Sequence, residues 1–144
     1  MDPIFAELSA GVRTHTAEET ETLAGRLATA LPPDCTLALE GDLGAGKSTF
    51  VRGLARAWGI TQPITSPTYT LLNCYQGQRQ LLHVDAYRME DPAEAEALLI
   101  EDIARSPFCL AIEWPSRVPP YWLERAFRLD FKISGDAHVV TLMV

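Results

Sequence analysis

Leu23, Ala24, Leu27, Ala28 and Leu31 recur at the three- and four-residue spacing that puts apolar side chains on one stripe of a helix. The segment opens with Thr16-Ala17-Glu18-Glu19, a capping box in which the Thr16 hydroxyl accepts from the Glu19 amide and Glu19 reaches back. Pro32-Pro33 ends it. Cys35 to Glu40 is a short apolar run, the pattern of a buried strand. From Lys47 a second helix gathers Phe50, Leu54, Ala57 and Trp58 on one face, with Gly59 placed to close it in a left-handed conformation. Tyr69 to Tyr75 and Gln80 to Asp85 read as strands of a hairpin turning at Gln76-Gly77-Gln78-Arg79. Asp91-Pro92-Ala93-Glu94 is a further helix start, and Phe108 to Glu113 a further apolar strand. Ala126 to Ser134 and His138 to Val144 form a closing hairpin around Gly135-Asp136. Alternating strands and helices predict an α/β fold of three layers around a mixed central sheet, with residues 1–144 as one domain.

Composition narrows the partners. The formal net charge is −7, and the only lysines are Lys47 and Lys132, so there is no basic stripe of the kind that grips nucleic-acid phosphates. Any RNA is expected to be held by a partner protein. Cys35, Cys74 and Cys109 lack metal-ligand spacing and are expected as buried thiols. The start of the chain lacks the pattern of a signal peptide, and no apolar run is long enough to span a bilayer, which points to a reduced, cytoplasmic setting.

Chemistry enters at Gly41-Asp42-Leu43-Gly44-Ala45-Gly46-Lys47-Ser48, a match to the phosphate-binding pattern G-x-x-x-x-G-K-[ST] between a strand and a helix. Asp42, Leu43, Gly44, Ala45 and Gly46 can turn successive backbone amides inward around phosphate oxygens at the positive end of the helix. Lys47 supplies a cation for the terminal phosphates, the Ser48 hydroxyl is placed to ligate magnesium, and Thr49 can donate to an inner phosphate. ATP with magnesium is the expected ligand.

Two acids, Asp85 and Glu113, sit at the ends of apolar strands. In an α/β sheet such strand ends converge on the crevice where the glycine loop opens, and a partly buried carboxylate there needs a cation. Both are candidates for the metal and for the attacking water, and spacing alone does not divide the two roles. The hydroxyl-dense Thr65-Ser66-Pro67-Thr68-Tyr69 reads as a switch loop, with a plain Ser-Pro turn as the alternative, and Trp114 as either a stacking or a packing residue. His15, His83 and His138 have no ligand spacing and read as structural.

From about Thr14 to Arg117 the chain resembles the bacterial TsaE proteins. The resemblance rests on Glu40-Gly41-Asp42-Leu43-Gly44-Ala45-Gly46-Lys47, Phe50-Val51-Arg52-Gly53-Leu54, Thr65-Ser66-Pro67-Thr68-Tyr69, His83-Val84-Asp85-Ala86-Tyr87-Arg88 and Ile112-Glu113-Trp114-Pro115. It implies a P-loop ATPase that works with the TsaD and TsaB proteins in making tRNA threonylcarbamoyladenosine. Lys47, Asp85 and Glu113 would then be catalytic, with Ser48 and the two carboxylates at the metal. Departures from the family pattern are Ser48 for Thr, Tyr69 for Phe, Leu99 for Gly, Ser116 for Glu, and a last hairpin without an expected Arg. The alternatives are a small-molecule kinase, which needs a substrate pocket and lid, and a GTPase-like switch, for which no Asn-Lys-x-Asp segment exists.

Overall fold

The computed structural model of the chain describes residues 2–65 and 71–143. Among the described residues seven strands, β1 (Val12–Thr14), β2 (Cys35–Gly41), β3 (Leu72–Gln76), β4 (Gln80–Asp85), β5 (Phe108–Glu113), β6 (Phe127–Ser134) and β7 (Ala137–Met143), form one sheet in the order β1-β7-β6-β2-β5-β4-β3. The inner strands β4, β5, β2 and β6 run parallel; β3, β7 and β1 add antiparallel edges. The sheet is therefore mixed, as the alternation of elements predicts.

The period of two along each strand divides the core. Leu37, Leu39, Leu81, Cys109 and Ala111 face a cluster shared with α1 (Pro3–Ala10), α2 (Ala17–Ala30) and α3 (Lys47–Ala57). Leu82, Val84, Leu110 and Ile112 face a second cluster, with Ala95 of α4 (Ala93–Glu96) and Ile100 of α5 (Ile100–Ile103). Two 3₁₀ turns, Pro115–Arg117 and Pro120–Leu123, follow β5. Buried strands with apolar residues on both faces need a layer above and below, and the three-layer expectation holds.

The Thr16 cap forms as read, with Glu19 N donating to Thr16 Oγ1 at 3.0 Å, while Glu19 Oε1 reaches one residue further back and accepts from His15 N. Helices α2 and α3 pack closely because Gly53 lets them approach: a Cβ there would lie 2.5 Å from the Glu21 carbonyl oxygen. Gly59 closes α3 at φ +71 as expected.

Some expectations shift. The helix begun at Asp91 lasts a single turn, although Asp91 and Glu94 make its capping bonds. The strand expected from Tyr69 runs, among the described residues, from Leu72, while Tyr69 and Ser66-Pro67-Thr68 of the expected switch lie outside them. Cys35 and Cys109 are buried, but Cys74 is exposed, because its side chain alternates to the open face of the outermost strand. Helix α1 and strand β1 carry no signal read from the sequence: one is eight residues long and the other three. Among the described residues no helix is long and apolar enough to cross a membrane.

Candidate nucleotide site

Strand β2 delivers the chain at Gly41 into the glycine loop, and α3 begins at Lys47. The loop is tight from both sides. Gly41 has φ +147, and a Cβ on it would sit 2.4 Å from the Phe131 carbonyl oxygen of the neighbouring strand β6. Gly46 caps α3 at φ +107 with no side-chain hydrogen bond. The first-turn amides of such a helix have no intrahelical acceptor, and here Gly46, Lys47, Ser48 and Thr49 line a cavity of about 240 Å³.

The same cavity is lined by Leu43, Gly44, Asp85, Tyr87, Glu113, Trp114 and His138. The topology explains the convergence. Strand β5 lies beside β2 and β4 beside β5, all parallel, so their C-terminal ends open on one side, with Asp85 and Glu113 as register partners at the last rung.

Lys47 is 4 % exposed, its Nζ donating to the Gly41 carbonyl oxygen at 2.5 Å and lying 4.1 Å from the Trp114 ring centroid. Sequence reading gives it as a cation for the terminal phosphates; the structure folds it back against its own loop. Burial pushes its pKa down, and the charges of Glu113, Asp85 and Asp42 pull it back up. Trp114 holds φ +60, a left-handed conformation that costs a bulky residue about 1 kcal/mol or more. Its ring centroid is 4.1 Å from the Lys47 ammonium and 5.0 Å from that of Tyr87, at a tilt of 48° between the two rings. Trp114 lines the cavity with both of them.

Asp85 Oδ1 accepts from the Tyr87 amide at 3.0 Å. Burial raises its pKa first, and Glu113 raises it further, against the lowering effects of the Tyr87 amide, His83 and Lys47. Glu113, 5 % exposed, bonds His83 Nε2 at 2.6 Å through Oε2. Thr49 Oγ1 accepts from Arg52 at 2.9 Å, which keeps its own hydroxyl proton for another acceptor.

Two histidines set aside in the sequence touch this site. His138 reaches from β7 with Nδ1 2.8 Å from the Ala45 carbonyl oxygen and braces the loop, and His83 holds Glu113. A second cavity, about 150 Å³, shares Gly46, Thr49 and His138 with the first and adds His15, Thr16, Ala17 and Thr20. No local motif ties His15, Thr20 or His138 to the glycine loop, because β1, α2 and β7 meet it only through the tertiary fold. His15 alone stays at the surface, beside Glu19.

No cluster of three or more His, Cys, Asp or Glu side chains forms a self-contained metal cage among the described residues. Two carboxylates and a serine on one cavity wall suit magnesium instead, which draws its remaining ligands from phosphate and water.

A glycine loop between a parallel strand and a helix, opening at the carboxyl ends of its neighbours, defines a P-loop NTPase-like α/β protein. The solved structure of YdiB from Bacillus subtilis superposes with a TM-score of 0.70 at 32% identity, over 92% of this chain and 82% of that one. Residues 14–139 match the family model for the threonylcarbamoyl adenosine biosynthesis protein TsaE, and the chain belongs to that family. The Bacillus subtilis tRNA threonylcarbamoyladenosine biosynthesis protein TsaE is 38% identical over 86% of this chain and 78% of its own length. The Nostoc protein of the same name is 45% identical over 71% and 65%.

Proposed function

We propose that this chain binds ATP with magnesium and hydrolyses it as the ATPase component of tRNA threonylcarbamoyladenosine biosynthesis, working with the TsaD and TsaB proteins. The observation that carries the reading is the meeting of Lys47, Ser48, Asp85 and Glu113 around one cavity at the start of α3. The relatives' names support the pathway.

The backbone of Asp42 to Gly46 would wrap the phosphates, with Thr49 donating to an inner one. Lys47 would exchange the Gly41 carbonyl for phosphate oxygens without leaving its buried position, since both acceptors lie at the same loop. Bound magnesium would neutralise charge developing on the terminal phosphate, held by Ser48 and by one or both of Asp85 and Glu113. A carboxylate not taken by the metal would orient the attacking water. The adjoining cavity between His15, Thr20 and His138 offers room for the nucleoside end.

A net charge of −7 supports docking on proteins rather than on tRNA, so the RNA would be reached through the complex, in the cytoplasm. The test measures phosphate release with no acceptor present, then with TsaD, TsaB and tRNA added. Hydrolysis stimulated by the protein pair is the expected result. Phosphate transfer to a small-molecule acceptor would instead make the chain a kinase, and no magnesium-nucleotide binding at millimolar concentration would overturn the assignment.

A further inference from the structure

Strand β4 presents His83 to the same side of the sheet as Asp85, two residues on, and as Leu81, two residues back. Leu81, Leu82 and Val84 fill the strand around it with aliphatic side chains, all fully buried. His83 is as buried as they are, at 1 % exposure, and its Nδ1 atom is shut from water with no hydrogen-bond partner. An aliphatic residue would occupy this place with no polar atom to satisfy, so packing does not account for an imidazole here.

What the ring does make is one bond. Its Nε2 lies 2.6 Å from Glu113 Oε2, across from the neighbouring strand β5. The register explains the reach. His83 is paired with Ala111, and Glu113 stands two residues further along β5, on the same face. Ala111 is small and fully buried, which lets the imidazole lean forward over it toward the carboxylate. An ionised carboxylate only accepts, so the proton of the bond sits on Nε2, and Nδ1 is left without a partner. One Glu113 oxygen is thereby tied, and the residue still lines the cavity beside Lys47 and Asp85.

We propose that His83 is a positioning residue: its Nε2–H bond to Glu113 Oε2 fixes the rotamer of that carboxylate, so that its remaining oxygen is aimed at the metal or water beside the terminal phosphate. This rests on the reading of Glu113 given above. His83 is not among the residues that line the cavity; it acts through Glu113. Outer partners of this kind are worth 10- to 100-fold in activity or metal affinity.

The experiment compares His83→Leu with His83→Gln. Leucine removes the bond and the orphaned nitrogen together, and glutamine restores an N–H donor near the position of Nε2. Crystal structures of both variants, solved without nucleotide, read the Glu113 carboxylate directly. It is expected to leave its place in H83L and keep it in H83Q. Manganese titrations followed by electron paramagnetic resonance, in the presence of a non-hydrolysable ATP analogue, are expected to show about 10-fold weaker metal binding in H83L. Metal-free nucleotide affinity stays within about twofold, and H83Q recovers most of the metal binding. In turnover the loss falls on kcat and leaves KM for ATP nearly unchanged.

A Glu113 carboxylate that holds its position in H83L overturns the proposal, as does a glutamine variant no better than leucine. If H83L fails to fold, H83Q alone decides, with a displaced Glu113 in a folded H83Q overturning it. Absence of hydrolysis in the unaltered protein would count against the ATPase reading, while the crystallographic comparison would still judge the placement of Glu113.

Discussion

The Nζ atom of Lys47 lies 4.1 Å from the centroid of the Trp114 ring and 2.5 Å from the Gly41 carbonyl oxygen. The ammonium is thus already at the mouth of the glycine loop, held by a ring face and a carbonyl that phosphate oxygens can replace. Lys47→Ala is expected to weaken ATP binding and cut turnover by at least about 100-fold, in line with loss of one buried charge-stabilising donor. The fold should persist, because burial already disfavours the charged lysine. Turnover assays with a thermal melt check both halves, and unchanged turnover removes Lys47 from the chemistry.

Asp85 and Glu113 share the last rung of β4 and β5, yet their surroundings differ: one bonds a backbone amide and the other a buried imidazole. Asp85→Asn and Glu113→Gln keep the shape and remove the charge. Each is expected to lower kcat by about 100-fold or more while nucleotide affinity measured without metal changes little. Calorimetric titration beside turnover separates the effects, and a fully active variant would take its residue out of the site.

The raised pKa of Asp85 carries a sign for stability. Burial is the largest cause, so folding favours its protonated form over the unfolded chain's. That contribution is fully present below the unfolded value near 3.8 and is lost as pH rises through the higher folded value. At neutral pH the nucleotide-free protein therefore carries a charge it would fold better without. Asp85→Asn, whose Oδ1 can still accept from Tyr87, is expected to melt higher than the parent at pH 7. The gap should close as the pH is lowered toward 4. A lower melting temperature at pH 7 would refute this.

Much of this site was legible because its signals are local. The glycine loop, its lysine and its serine are adjacent in sequence, and Asp85 and Glu113 are marked by the apolar strands they end. The four central strands and the two long helices carry enough period to be read the same way. What escaped depends on register and strand order. Nothing near His83 in sequence shows that Ala111 leaves it a path to Glu113, and nothing near His138 shows that β7 passes close enough to bond Ala45. Short elements escaped for another reason: α1, β1 and α5 are fixed by packing, with too few residues to display a period.

Leu99 stands where the family resemblance leads one to expect glycine, and it holds φ +54 with the residue 54 % exposed. A left-handed conformation costs a residue with a Cβ about 1–2 kcal/mol, and little apolar burial repays it here. Leu99→Gly gives back part of that through greater freedom of the unfolded chain. A net gain of about 0.5–1 kcal/mol is expected, seen as a rise of about 2–4 °C in the melting temperature. A fall would mean that the Leu99 side chain covers more than its exposure suggests.

Gly41 offers the sharpest test of how the loop is held. Its φ of +147 is closed to residues with a Cβ, and the atom added by Gly41→Ala would sit 2.4 Å from the Phe131 carbonyl oxygen and 2.9 Å from the Phe131 Cβ. Neither can yield easily. Phe131 is paired with Gly41 in the β2–β6 ladder, and its ring packs edge-on to Phe50 of α3 at 5.3 Å. Strain and overlap together should cost about 2–4 kcal/mol, a drop of several degrees in melting temperature. Because the Gly41 carbonyl also receives Lys47, nucleotide affinity should fall with it. Gly44→Ala is the control: φ is +80, yet no atom lies within 4 Å of the new Cβ, so only about 1 kcal/mol of backbone strain is expected. Equal losses in the two variants would show that the contact with Phe131 does not set the cost.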